Sequence, residues 1–477
     1  MRNHCSNVCC LRQIVVPFAI VAAVLSMIVP VGQAAEPLRV GVFDVDASPA
    51  IGSPLAYDPT KEVTSPLSCR GLVLLGDERP IVLCAVDWIG ISNGGRQAFR
   101  EGLAAAVGTD VERVALHTLH QHDAPRCDFT TDMVLAAYGL NTQVFDTPMA
   151  RDVIRRASAA VKRAMAEAQP VTHLGLGEAE IEKVASNRRI LGPDGKVQFV
   201  RYTACRDPEI RAKPVGTIDP KVKLISFWNE DRPLAVLTYY ATHPQSYYRT
   251  GGANPDFPGM ARNARQTATG VPHIHFNGAG GNIGAGKWND GSPENRQVLA
   301  DRVADGMRRA WESIQKQPIS AADMSWRHVK VSLPLAPHLD EAALQKTLDD
   351  ETQPATARVG AASDLVWVRR HLAGDKIDIG CLTLADTRVL HMPGELFVEY
   401  QLAAQQLRPD LFVAMAAYGE YGSGYIGTAI GYTQGGYETS PRASNTAPEV
   451  EHVLVSAMRE LLEAQDRELG PLGTDGS

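Results

Sequence analysis

The chain has 477 residues, 44% hydrophobic and 21% charged, with a formal net charge of −7 at pH 7. That length buries a sizeable core, and the composition is ordinary for a water-soluble globular body, which excludes a disordered chain and a polytopic membrane protein. The negative balance argues against nucleic acid as a partner.

Taken in chain order, Arg2 and Arg12 precede an apolar run from Ile14 to Val31, and Gly32 and Ala34 stand where signal peptidase needs small residues. The expectation is a secretory leader over residues 1–34 and export to the periplasm or the outside. An uncleaved anchor is the alternative, which Pro17 and Pro30 disfavour. Losing residues 1–34 removes Arg2 and Arg12 and no acid, so −7 becomes −9. Cys69, Cys84, Cys127, Cys205 and Cys381 remain, an odd number without CxxC spacing. They make neither a disulfide framework nor a thiolate zinc site; one or two disulfides and buried free thiols both stay open.

The runs "LRVGVFDV" (Leu38 to Val45), "GLVLLGD", "IVLCAVDW" and "VERVALH" read as strands, and Arg96 to Val107 as a helix. Asp146-Thr147-Pro148 supplies an N-cap and an N1 proline for a helix to about Ala168, and Ser292-Pro293-Glu294 does so for one to about Ser313. Further strands are expected at "KVKLISFW", "PLAVLTYY", "VPHIHFN", "MSWRHVKVSL", "DIGCLTLAD", "TRVLHMP" and "LFVAMAAY". No repeat period shows, and Gln353 to Ala362 is the longest linker-like stretch. The pattern predicts an α/β fold: a single large catalytic domain over 35–465, with central mixed β-sheets flanked by helices and an active site at strand ends. Residues 466–477 read as a loose tail.

Three of the thirteen histidines, His117, His120 and His122, fall within "LHTLHQHDAP". In an extended chain alternate residues share a face, so His120 and His122 would both reach one cleft, a usable metal half-site. Surface or core histidines are the bland alternative. "LTYYATHPQSYY" delivers His243 at a strand tip, and "PHIHFNGAGGNIGAG" ends in a glycine-rich loop holding Asn277 and Asn282, able to bring backbone N–H groups to a ligand or to serve as a plain turn. Its glycine spacing matches neither a Walker loop nor a dinucleotide fingerprint. "RVLHMPGELF" sets Glu395 after a strand and a Pro-Gly turn, where a carboxylate can serve a metal. Tyr418, Tyr421, Tyr425, Tyr432 and Tyr437 follow among glycines, a pattern that packs over a rim, ligates a metal or stabilises an oxyanion.

In this order the segments resemble the neutral/alkaline (non-lysosomal) ceramidase family, zinc-dependent amidases that hydrolyse the amide of ceramide. "VGVFDVDASP" and "PLSCRGLVLL" match its opening, and "LHQHDAP" resembles its Thr-His-Thr-His-Ser-Gly-Pro segment. The resemblance implies one Zn2+ per chain, with His120, His243 (from "YATH"), Glu395 and Tyr425 (from "GYIGT") as ligands. It places His122 beside the scissile group and Tyr437, twelve residues after Tyr425 in "YE", at the carbonyl oxygen. Arg188, in "NRR", falls on the family's pocket arginine. The family's active-site serine falls on Gly284, which has no hydroxyl, so serine chemistry is not expected there; Asp123-Ala124 stand where the family has Ser-Gly. After residue 462 little chain remains where the family usually continues into an immunoglobulin-like domain.

The implied function is an exported zinc-dependent hydrolase of linear amide C–N bonds, acting on a ceramide-like or other N-acyl substrate through a zinc-activated water. His122 passes the proton, with Arg188, Asn282 and Gly284 against the substrate. Lipid substrates would bring peripheral membrane contact. A ligand-binding member that has lost turnover, and an ester, lactone or N-acyl sugar hydrolase using the same zinc, are the alternatives, and a polar wall at Asp123 would favour the latter over lipid. His117 is expected to be structural or to support the ligands from behind.

Overall fold

Three successive units of the same build organise the computed structural model, which describes residues 37–473; the leader expected over 1–34 lies outside them. In the first unit β1 (Arg39–Asp46), β2 (Ser68–Leu75) and β3 (Ile81–Val86) form an antiparallel meander. Helix α1 (Asn93–Val107) then crosses over to β4 (Val114–Thr118), which pairs in parallel with β3, and α2 (Thr147–Ala166) returns against the sheet. The short β5 (Gln169–Pro170) closes the far edge on β1.

The second unit repeats this order with β6 (His173–Glu180), β7 (Lys221–Asn229), β8 (Arg232–Tyr240), α3 (Asp256–Thr269), β9 (His273–Asn277) and α4 (Glu294–Glu312), with β10 (Gln315–Pro318) on the β6 edge. The third has β11 (Met324–Val331), an inserted α5 (Ala355–Leu372), β12 (Ile377–Leu384), β13 (Thr387–His391), α6 (Val398–Leu407), β14 (Phe412–Ala416) and α7 (Val450–Leu461). Each sheet is therefore mixed, antiparallel except for one parallel pair at the edge where a helix crosses over. The α/β class and the flanking of mixed sheets by helices are as expected.

The hydrophobic pattern explains the layering. Leu72, Leu83, Ile225, Phe276, Leu382 and Ala414, from the inner faces of all three sheets, share one central core. The outer faces carry helices in three separate clusters. β3 reads "IVLCAV" without polar alternation because it is covered on both faces. The parallel edges lie together, with β9 touching β3, β4 and β14. Their carboxyl ends therefore open on one place, and it is there that open α/β sheets present functional side chains.

Several local readings change. The linker-like stretch from Gln353 is helical from Ala355 on, as its alanine-rich composition favours. The helix after Ser292 starts at Glu294 behind Pro293 with no side-chain cap, because the Ser292 hydroxyl donates to Asp290 Oδ1 at 2.6 Å. The five cysteines among the described residues are free thiols, Cys69 and Cys84 facing each other at 3.6 Å across β2 and β3. The tail is docked as far as it is described: Leu472 lies in the third unit's core and its N–H donates to Glu451. Among the described residues no helix is long and apolar enough to cross a membrane.

Candidate metal centre

At the end of β4 the chain turns instead of running on extended. His120 has φ of +60°, its N–H donates to the carbonyl of Trp88 at 2.9 Å, and that of Leu119 donates to Val86 at 2.8 Å. His120 and His122 thus share the cleft because of a left-handed kink, not strand alternation; their rings lie 5.0 Å apart. His120 Nδ1 faces the carbonyl of Ile89 at 2.6 Å. A carbonyl only accepts, so Nδ1 carries the proton and Nε2 presents a bare lone pair.

That lone pair meets groups from the other two units. His243, three residues beyond β8, and Glu395, four beyond β13, bring their side chains to it: Glu395 Oε2 is 3.1 Å from His120 Nε2 and 3.8 Å from His243 Nδ1. His243 Nε2 is 3.3 Å from His122 Nε2. Glu395 is aimed by two contacts, its N–H donating to Gly424 and its Oε1 accepting from the Tyr421 hydroxyl at 3.2 Å. A two-residue parallel ladder pairs Glu395 with Tyr425, and the Tyr425 ring lies parallel to that of His243 with centroids 6.2 Å apart.

His120 Nε2, His122 Nδ1, His243 Nδ1 and Glu395 Oε2 are buried and have no hydrogen-bond partner. Such atoms each cost about 1–3 kcal/mol when left unsatisfied. Burial, followed by the neighbouring imidazoles and Arg188, holds His122 and His243 well below 6.5, so both rings are neutral at pH 7, the form that binds a metal. Two ligands about 2.0–2.1 Å from a tetrahedral ion stand roughly 3.3 Å apart, close to the His120–Glu395 spacing of 3.1 Å. The donor set therefore fits a zinc-type cation. His120, His122 and His243 form a trio with donor atoms all within 4.8 Å. A second group, Glu112, His328 and Asp378, is bridged by Lys330 and paired with Arg100.

The remaining expected residues lie around this point. Arg188 donates from Nη1 to the Tyr425 hydroxyl at 3.2 Å, and its Nε is 3.3 Å from Glu438 Oε1. Burial works against its charge, but Tyr425, Glu438 and Glu395 more than offset this and hold its pKa above the ordinary value. Burial likewise pushes the Tyr425 hydroxyl well above 10, Arg188 opposing it. Tyr437 packs edge-on to Tyr425 at 5.7 Å. Gly284 lies beneath the Arg188 stem: a Cβ there would stand 3.2 Å from Arg188 Cγ.

Asn282 reaches the site only through its carbonyl, which accepts the Arg188 N–H; its side chain is bound to the start of α6, accepting from Val398 N and donating to Glu399. In the glycine-rich loop the N–H groups of Gly278, Ala279, Gly281 and Ile283 donate to Tyr240, Gln401, Leu396 and Gly280. Gly280 and Gly281 are needed because any Cβ would strike the backbone of Thr242 and Glu395, so the loop wedges between the His243 and Glu395 segments. His117 bonds the Ala417 carbonyl and His391, away from the cluster. Asp123 is a buried anchor for Arg296 at 3.0 Å and not an open polar wall. Sequence reasoning passed over Tyr57, whose ring lies parallel to His122 at 6.0 Å, together with Arg126 and Tyr248 beside it.

Fold and site together define an α/β protein whose three units converge on a buried histidine–carboxylate cluster able to hold a metal ion. The fold is that of the neutral ceramidase from Pseudomonas aeruginosa: TM-score 0.67 at 17% identity, covering 92% of this chain and 76% of that one. A ceramidase complexed with C2 matches with TM-score 0.67 and 16% identity over 92% of this chain and 77% of that one. No protein-family model and no curated protein sequence matches the chain.

Proposed function

We propose that the protein hydrolyses N-acyl amides with one zinc ion held by His120, His243, Glu395 and Tyr425. The observation that carries this reading is the convergence, from all three units, of buried donor atoms of His120, His243 and Glu395 with no partner of their own, with Tyr425 laddered beside Glu395. The ceramidase fold supports the same class of reaction. Zinc, when bound, supplies a Lewis acid for a carbonyl and a nucleophile from water at neutral pH.

The chain's own residues do the rest. Ile89 fixes the tautomer of His120, and Tyr421 orients Glu395. His122, held neutral by burial and standing beside His243, accepts a proton and returns it to the leaving amine. Arg188, its charge braced by Glu438, and the Tyr437 hydroxyl offer donors to the carbonyl oxygen, each such donor being worth about 3–4 kcal/mol where measured in other enzymes. Tyr57, stacked over His122, screens that ring from water. Gly284, lacking a hydroxyl, leaves no serine for an acyl-enzyme at that position. An ester hydrolysed by the same residues is the second reading, since nothing in this set distinguishes an amine from an alcohol except the proton His122 must deliver.

The test is metal analysis and product analysis on purified protein. Close to one zinc per chain is expected in the wild type and none in His120→Ala/His243→Ala, with fatty acid and amine released from an N-acyl panel until a chelator is added. Zinc retained by the double variant sinks the ligand assignment; hydrolysis that survives chelation sinks the mechanism.

A further inference from the structure

The residue that follows the histidines sets the shape of the cleft mouth. Asp123 is buried; its Oδ1 accepts the backbone N–H of Arg249 at 3.1 Å, and its Oδ2 accepts from Arg296 Nη2 at 3.0 Å and from Thr250 Oγ1 at 3.4 Å. Arg296 also donates to Ser246 Oγ and to the Tyr247 carbonyl, both at 2.8 Å. This clamp holds the 246–250 loop in a conformation where Arg249 has φ of +66°, a position a long side chain adopts only when its surroundings impose it.

The clamped loop offers Tyr248 and Arg249 to solvent on the His122 side of the cluster. Tyr248 is 37% and Tyr57 42% exposed, and their rings lie 5.0 Å apart. The Arg249 guanidinium sits 5.2 Å from both ring centres. The Arg126 guanidinium also lies against the Tyr57 ring, 5.7 Å from its centre; it donates to the Ala56 carbonyl and keeps a buried Nε with no partner. Its charge bears on both His122 and Tyr421. Among the described residues no carboxylate pairs with Arg126 or Arg249, whereas Arg188 and Arg296 are both paired. Two arginines without a carboxylate partner, both against the Tyr57 ring beside His122, on a chain of net charge −7, mark a place prepared for a negative group. A long apolar groove for a neutral lipid headgroup is not what this lip provides.

Resting on the hydrolase reading above, in which His122 serves the leaving amine, we infer that the amine half of the substrate carries an anionic group, a carboxylate or a phosphate, bound by Arg126 and Arg249 with Tyr57 and Tyr248 as its aromatic seat. Asp123 is the positioning residue of that lip, acting through the Tyr248–Arg249 loop.

The experiment uses the zinc-loaded full chain and three matched probes: N-dodecanoylglycine, N-dodecanoyl-aminoethyl phosphate and the neutral N-dodecanoylethanolamine. Calorimetric Kd and kcat/KM are measured for each at low and high salt. At low salt at least one anionic probe should exceed the neutral one by about tenfold in both readouts, the better of the two naming the group. Raising ionic strength from about 0.05 M to about 0.5 M should shrink the ratio. In Arg126→Gln/Arg249→Gln it should fall to within about threefold of unity, with Arg249→Lys intermediate. A neutral probe bound as tightly as both anionic ones, or a preference that persists in the double glutamine variant, overturns the inference. Turnover without charge preference leaves the hydrolase reading standing and removes this one. Selective anion binding without turnover removes the hydrolase reading and, with it, the assignment of the anion to an amine half, leaving only an anion site at the two arginines.

Discussion

Zinc should stabilise this fold measurably, and by an amount that can be worked out in advance. In the metal-free protein His120 Nε2, His243 Nδ1 and Glu395 Oε2 are buried without partners, so the folded state alone offers the ion a preformed site. A ligand that binds only the folded state contributes RT ln(1 + [L]/Kd), about 4.1 kcal/mol at a thousandfold excess over Kd. Unfolding entropy near 2.1 cal/mol/K per residue over the roughly 440 described residues is about 0.9 kcal/mol/K, so that stabilisation should raise Tm by about 4–5 °C. Differential scanning calorimetry on chelator-dialysed protein, with zinc returned stepwise, reads it directly. His120→Ala/His243→Ala changes the starting Tm through lost packing, but each protein is compared with itself and the variant should show no zinc response. An unshifted wild type, or a variant that shifts equally, would refute the argument.

Two further outcomes follow from groups that support the centre. Arg262 holds Asp87 in a fully buried bidentate pair at 2.6 and 2.9 Å, and Asp87 precedes the Trp88 and Ile89 carbonyls that fix His120. Arg262→Met strands that carboxylate and should cost about 3–5 kcal/mol in denaturant unfolding at pH 7, most of it recovered in Arg262→Met/Asp87→Leu. Burial alone would raise the Asp87 pKa, yet Arg262, Arg70 and Ser68 bring it below 3.8; its stabilisation is therefore complete above that value and lost as pH falls through the lowered one, so the gap between wild type and Arg262→Met should narrow in acid. Gly281→Ala drives a methyl into the Glu395 carbonyl and should weaken zinc binding at least about tenfold by calorimetric titration, while Gly360→Ala, in open space on α5, should leave zinc affinity alone and stabilise by about 0.5–1 kcal/mol.

Much of the local architecture was legible beforehand. β1, β2, β3, β7 and β8 follow from alternating or unbroken apolar runs, and Asp146 caps α2 by accepting from Met149 N as its Asp-Thr-Pro context foretold. The three-unit build was not legible, because what recurs is the order of elements and the edge at which each helix crosses over, with no recurring residue pattern. Which of its two readings the glycine-rich loop takes was not legible for a related reason: its glycines answer to the backbones of Thr242 and Glu395, which no local pattern announces. Tyr57, Arg126 and Tyr248 carry no motif and acquire meaning only beside His122.

By itself the sequence determined what short-range physics governs: which segments bury a face, where helices start, and that three histidines crowd one strand end. Only the tertiary structure decided which of them matter together, since Arg188 meets Tyr425 across 237 residues and His117 meets His391 across 274. Periodicity and capping act over a few residues, whereas a buried donor finds or lacks its partner only when distant strand ends close on one point. That closure turns His120 toward Glu395, ties His117 to His391, and makes Asp123 the anchor of the lip over the cleft.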